Sequence, residues 1–171
     1  VKLSNKFNEV IATEIHEHRV ELIKSYVKRM GKNNVDAICA DSTLYNESFF
    51  EKFSAVLCDA PCSGTGVIKQ NPDIKLNRTE NSVKELNQTQ LKLLNNLSKY
   101  VKKGGYIYYS TCSLLKSEND EIISKFLKAN KNFKVEEIKS PLKNIKTKYG
   151  LTFMPHVSLS AGFYVCKLKK D

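Results

Sequence analysis

Two cysteines stand in short polar loops where a thiol could act as a nucleophile. Cys62 lies in Asp59-Ala60-Pro61-Cys62-Ser63-Gly64-Thr65-Gly66, and Cys112 lies in Ser110-Thr111-Cys112-Ser113. Each loop directly follows an apolar run, SAVLC (54–58) in one case and YIYYS (106–110) in the other. A nucleophilic thiol can divide one hard step into two easier ones through a covalent intermediate. Asp59 adds a carboxylate that a tight loop of this type can project into the same crevice as the thiol. Pro61 fixes one φ angle, and Gly64 and Gly66 free the backbone for close approach to a ligand. Taken singly, a free cysteine is usually a small core hydrophobe and an acidic residue usually a helix cap. Here Glu14, Asp41, Asp59, Cys62 and Cys112 all fall just after predicted strands, and that coincidence outweighs the structural reading of each.

The elements that must position them alternate. EVIATEI (9–15) reads as a strand that carries Glu14 at its end. Residues 16–30 follow as a helix, with Val20, Ile23, Val27 and Met30 on one stripe and Gly31 as its C-terminal cap. VDAICA (35–40) is a buried strand ending at Asp41. After a loop over 42–53, the strand 54–58 feeds the first cysteine loop. The pattern predicts a long helix over 81–102, stopped by Gly104-Gly105, and then the strand 106–110. Ser117-x-x-Asp120 resembles a capping box that opens a helix through Ala129. FKVEEI (133–138) and AGFYVCKL (161–168) close the chain as antiparallel strands. Together these predict an α/β, doubly wound sheet, mostly parallel with a terminal antiparallel hairpin. In such sheets ligands bind beyond the carboxyl ends of the strands.

The 171 residues suit one domain, and 41% of them are hydrophobic, enough for a sizeable core. Lys and Arg number 28 against 18 Asp and Glu, a formal charge of +10 that favours a polyanion such as nucleic acid. A Lys-rich surface that serves only solubility is the bland competitor. No apolar run approaches the ~20 residues of a spanning helix, so no membrane role is expected. VKLSNKFNEV has no apolar signal region. The five cysteines are odd in number and contain no CxxC pair, which argues against a disulfide framework and a zinc site. No metal is expected, and a reducing cytoplasm is the natural setting.

DAPCSGTG (59–66) and STCS (110–113) resemble two motifs of the RsmB/Sun and NSUN group of RNA 5-methylcytosine methyltransferases. Pairing a Pro-Cys thiol with a Thr-Cys thiol is specific to that group. The likeness extends to residues 66–75, to the stretch around Glu14, and to Pro155-His156 ahead of Gly162-Phe163. It implies a Rossmann-like class I methyltransferase sheet with S-adenosyl-L-methionine as cofactor and RNA, foremost ribosomal RNA, as partner. It also implies site roles. Cys112 would be the attacking thiol, Cys62 its helper in release, and Asp59 the stabiliser of charge on the base. Glu14 would hold the ribose hydroxyls and Asp41 the adenine, with Asp59 at the methyl-donor end. His16 and Arg19 are weaker candidates. Lys69-Gln70, Leu76 and Ala161 depart from the group's pattern.

A nucleotide-binding unit of this kind carries its Gly-rich loop about twenty residues before the ribose-binding acid. Only thirteen residues precede Glu14, and none is glycine. The expectation is therefore a partial methyltransferase domain over 1–171 that lacks its N-terminal strand and Gly-rich loop. Weak or absent cofactor binding by the chain alone follows, as do bare strand edges open to dimerisation or a completing segment. Two rivals stay open: a non-catalytic RNA-binding remnant, and a methyltransferase of other specificity that shares only the sheet.

Overall fold

The computed structural model describes residues 2–171, which form two compact units, residues 2–45 and Asn46–Asp171. In the first, strand β1 (Val10–Glu14) leads into helix α1 (Glu17–Arg29) and then strand β2 (Val35–Cys39). β1 and β2 pair in parallel, from Val10 opposite Val35 to Glu14 opposite Cys39. α1 buries Val20 and Val27, with Ile23 partly covered, as the stripe predicts, whereas Met30 is half exposed at the helix end. Gly31 takes φ +61° just past that end, where its N–H bonds the Lys28 carbonyl.

The second unit begins its sheet with β3 (Phe53–Asp59). A short helix α2 (Ile74–Asn77) precedes the long helix α3 (Glu80–Ser98). Thr79 and Ser82 form a reciprocal capping box at the start of α3, each side chain accepting from the other's backbone N–H. Thr79→Ala is expected to lower stability by about 1 kcal/mol, read as a lower urea midpoint at unchanged slope.

The long helix stops at Ser98, earlier than the apolar spacing suggests, because Val101 is claimed by the sheet. Strand β4 (Val101–Thr111) starts there, with Val101 fully buried opposite Phe53. Gly104-Gly105 therefore lies inside β4 rather than ending a helix. The register slips at this point, since Phe53 faces Val101 while Ala55 faces Tyr106, as in a bulge.

Helix α4 (Asp120–Ala129) follows a 3₁₀ turn over Lys116–Glu118. The predicted capping box is not formed: Asn119 is the N-cap and makes no capping bond. Asp120 instead accepts from Thr147 Oγ1, Tyr164 Oη and the Lys148 N–H. The chain closes with β5 (Phe133–Glu136), β6 (Ile145–Lys146), β7 (Leu151–Phe153), helix α5 (Pro155–Ser158) and β8 (Phe163–Lys170).

The expected antiparallel end is present. The strand order is β3-β4-β8-β7-β6, and β5 also pairs with β8. β3 and β4 run parallel, and β8 is antiparallel to β4, β5 and β7. One face of this sheet packs on α3 and α4 through Cys58, Leu94, Ile107, Tyr109, Ile122, Ile123, Phe126, Cys166 and Leu168. Cys58 and Cys166 belong to that core, where burial pushes both thiols up to about 12. Because β3 and β4 are parallel and Asp59 stands opposite Ser110, the loops after them leave the sheet side by side.

Candidate active site

Those two loops bring the predicted thiols together. Cys62 Sγ and Cys112 Sγ are 3.0 Å apart, each partly buried. Burial, then the bond to Cys112, pushes the Cys62 thiol up to about 12. Cys62 therefore keeps its proton at neutral pH and can point it at the Cys112 sulfur. Asp59 is exposed at the end of β3 and accepts the Ser110 hydroxyl on Oδ1 at 2.7 Å.

Gly66 does not serve close approach of a ligand, as its place in the loop suggests. A Cβ there would lie 2.3 Å from the Gly162 carbonyl oxygen and 2.7 Å from that of Cys112. Its N–H donates to the Cys112 carbonyl, and its carbonyl accepts from the Gly162 N–H, both at 2.8 Å. The glycine thus lets three backbones meet: the two cysteine loops and the entry to β8. Gly64 takes φ +77° and turns the chain into the 3₁₀ segment Thr65–Val67.

The polar layer beneath the thiols went unread in the sequence. Ser63, Gln90, Thr111, Ser113 and Glu118 are fully buried and Asn119 nearly so. Glu118 accepts from the Ser63 N–H at 2.8 Å, the Ser63 hydroxyl at 2.5 Å and Gln90 Nε2 at 3.0 Å. Asn119 accepts from Thr111 Oγ1 at 2.6 Å and donates to the Ser113 carbonyl at 2.9 Å. Arg78 Nε donates to the Ser63 carbonyl. Serines flanking both cysteines were the available signal, since buried hydroxyls need partners.

In the first unit, Glu14 ends β1 and Asp41 follows β2, so both stand at the carboxyl end of one parallel strand pair. Glu14 Oε1 accepts from the His16 N–H at 3.0 Å, and Arg19 lies 3.8 Å from Oε2. The His16 backbone bond foremost, with the Arg19 charge beside it, holds the Glu14 carboxyl below its usual range. Asp41 Oδ1 accepts from the Thr43 N–H at 2.8 Å. Among the described residues, no group of three or more His, Cys, Asp or Glu side chains could hold a metal ion. No described helix is long and apolar enough to cross a membrane.

Three comparisons bear on this arrangement. The probable ribosomal RNA small subunit methyltransferase B of Bacillus subtilis (strain 168) is 33% identical over 98% of this chain. The crystal structure of PH0851 superposes with a TM-score of 0.90 at 32% identity over 95% of the chain. That of NSun6 from Pyrococcus horikoshii with SFG gives 0.79 at 27% identity over 99%. The chain spans 39% of the length of the first, 37% of the second and 43% of the third. These likenesses give the sheet its class, a Rossmann-like class I methyltransferase fold. Residues 1–169 match the family described as 16S rRNA methyltransferase RsmB/F, and the chain belongs to that methyltransferase family.

Proposed function

We propose that this chain carries the catalytic part of an S-adenosyl-L-methionine-dependent RNA cytosine-5 methyltransferase, acting in the cytoplasm on small-subunit ribosomal RNA. The observation that carries the reading is the 3.0 Å separation of two thiols from different loops, one of them held protonated. Carbon 5 of cytosine is a poor nucleophile until a group adds at carbon 6. Cys112 loses its thiol proton to solvent and its Sγ forms that bond, breaking the C5=C6 π bond, so that the ring's electrons shift toward N3 and O2 and carbon 5 becomes electron-rich. Asp59 hydrogen-bonds the ring nitrogen or exocyclic amine where charge develops. When bound, the cofactor supplies an electrophilic methyl group. Afterwards the carbon 5 proton leaves to solvent, its bonding pair restores the C5=C6 double bond as the C6–S bond breaks, and Cys62 gives its proton to the departing Cys112 sulfur and regains one from solvent. The base must be out of its stack throughout.

The first unit fits part of a nucleoside cofactor. Glu14, kept ionised by its neighbours, retains acceptor capacity for ribose hydroxyls, and Asp41 can accept from an adenine amine. The test is capture on RNA containing 5-fluorocytidine in the presence of S-adenosyl-L-methionine. Fluorine at carbon 5 cannot leave as a proton, so a complex stable to denaturing electrophoresis is expected. RNA binding that weakens steeply with salt, without any covalent band, would instead support the non-catalytic reading, in which the charge of +10 serves RNA binding alone.

A further inference from the structure

One dipeptide touches the flanks of both cysteines. Cys112 sits between Thr111 and Ser113, and Asn119 holds both, accepting from the Thr111 hydroxyl and donating to the Ser113 carbonyl. Cys62 sits between Pro61 and Ser63, and Glu118 holds Ser63 through its N–H and its hydroxyl. The Pro61 carbonyl is held by Gln90 Nε2 at 2.8 Å, and the same nitrogen donates to Glu118. The backbone of the dipeptide is itself pinned, because Tyr109 Oη donates to the Glu118 carbonyl at 2.6 Å. Glu118 and Asn119 are 0% and 4% exposed, so water does not compete for these bonds. No partner of the dipeptide in either loop is a cysteine; its bonds fall on the residues beside them.

We propose that Glu118 and Asn119 are the positioning pair that sets the distance between Cys62 and Cys112, each fixing one thiol-bearing loop from a single rigid turn. Neither would touch the substrate. A small rotation of the turn would shift both loops together, whereas loss of one side chain would let one sulfur drift from the other. The importance of this for catalysis rests on the paired-thiol mechanism above, but the positioning itself can be measured without it.

The measurement is the equilibrium of the full chain with oxidised glutathione. The Cys62 and Cys112 thiols are oxidised to one disulfide as one glutathione disulfide is reduced to two thiols. An S–S bond is about 2.05 Å long, so sulfurs already 3.0 Å apart close with a high effective concentration. The cross-linked peptide pair carrying both residues is quantified by mass. Glu118→Gln and Asn119→Asp are each expected to lower the equilibrium constant at least tenfold at a temperature where the variant is folded. Should either variant fail to fold, Thr111→Val, which removes only the hydroxyl donor to Asn119, is expected to give the same loss. Thr111→Ser, which keeps that hydroxyl, is expected to restore the wild-type value. A lower unfolding midpoint with an unchanged thiol equilibrium would reduce the pair to ordinary core polarity and overturn the proposal. If wild-type protein forms the disulfide readily but is never captured on 5-fluorocytidine RNA, the reaction mechanism fails while the positioning stands.

Discussion

Cys112→Ala is expected to abolish covalent capture on 5-fluorocytidine RNA, while Cys62→Ala is expected to make a covalent complex accumulate on ordinary RNA. The contrast follows from the division of labour between two sulfurs 3.0 Å apart. Removing the attacking thiol removes the adduct itself, and loss of a nucleophile costs on the order of 10⁶-fold in rate. Removing Cys62 leaves the attack intact but takes away the proton that the departing sulfur must receive. That proton is available because burial and the Cys112 contact hold the Cys62 thiol up to about 12. General-acid assistance contributes roughly 10²–10⁴-fold, so turnover should fall by that factor while adduct formation continues. Denaturing electrophoresis of both variants, with methyl incorporation measured in parallel, reads the two effects separately. Equal loss of capture in both variants would mean that the sulfurs act as one unit, and the assignment of release to Cys62 would be abandoned.

Both thiol loops were legible because their signals are local. Pro61, Gly64 and Gly66 mark a tight loop, and the runs 54–58 and 106–110 mark the strands that feed them. Parallel pairing of those strands then brings Cys62 and Cys112 to the same end of the sheet. What escaped the sequence depends on partners far along the chain. Val101 continues the apolar spacing of α3, yet it belongs to β4 because Phe53 pairs with it. Gly104 and Gly105 look like a helix stop for the same reason, though they sit in a bulge. Glu118 and Asn119 precede a helix, where polar side chains ordinarily cap, and so the local pattern points to Ser117 and Asp120 as the cap. Their actual partners, Ser63 and Gln90 for one and Thr111 and Ser113 for the other, come together only in the folded sheet. Gly66 shows the same limit, since its spacing signals close approach without saying to what.

That close approach gives the second large effect, in stability rather than rate. Gly66→Ala is expected to destabilise the chain by about 3 kcal/mol or more, from overpacking of 1–3 kcal/mol together with weakening of hydrogen bonds of ~1 kcal/mol each. The atoms that an added methyl would meet are the Gly162 and Cys112 carbonyl oxygens and the Gly162 carbonyl carbon, all within 2.7 Å. These are backbone atoms, so no rotamer change can relieve the clash, and the three segments must separate. Separation stretches the bonds from Gly66 N–H to the Cys112 carbonyl and from Gly162 N–H to the Gly66 carbonyl. Gly162→Ala should behave alike, since its Cβ would lie 2.6 Å from the Gly66 Cα. The two substitutions open one contact, so the double variant should lose clearly less than the sum of the singles. Gly104→Ala is the control: its φ of +76° strains any side chain by about 1–2 kcal/mol, but no heavy atom lies within 4 Å of the added methyl. Urea midpoints for the four variants decide the matter. If Gly66→Ala unfolds with the wild-type protein, the three backbones are not in contact, and the route by which Gly66 anchors the Cys112 loop is lost with them.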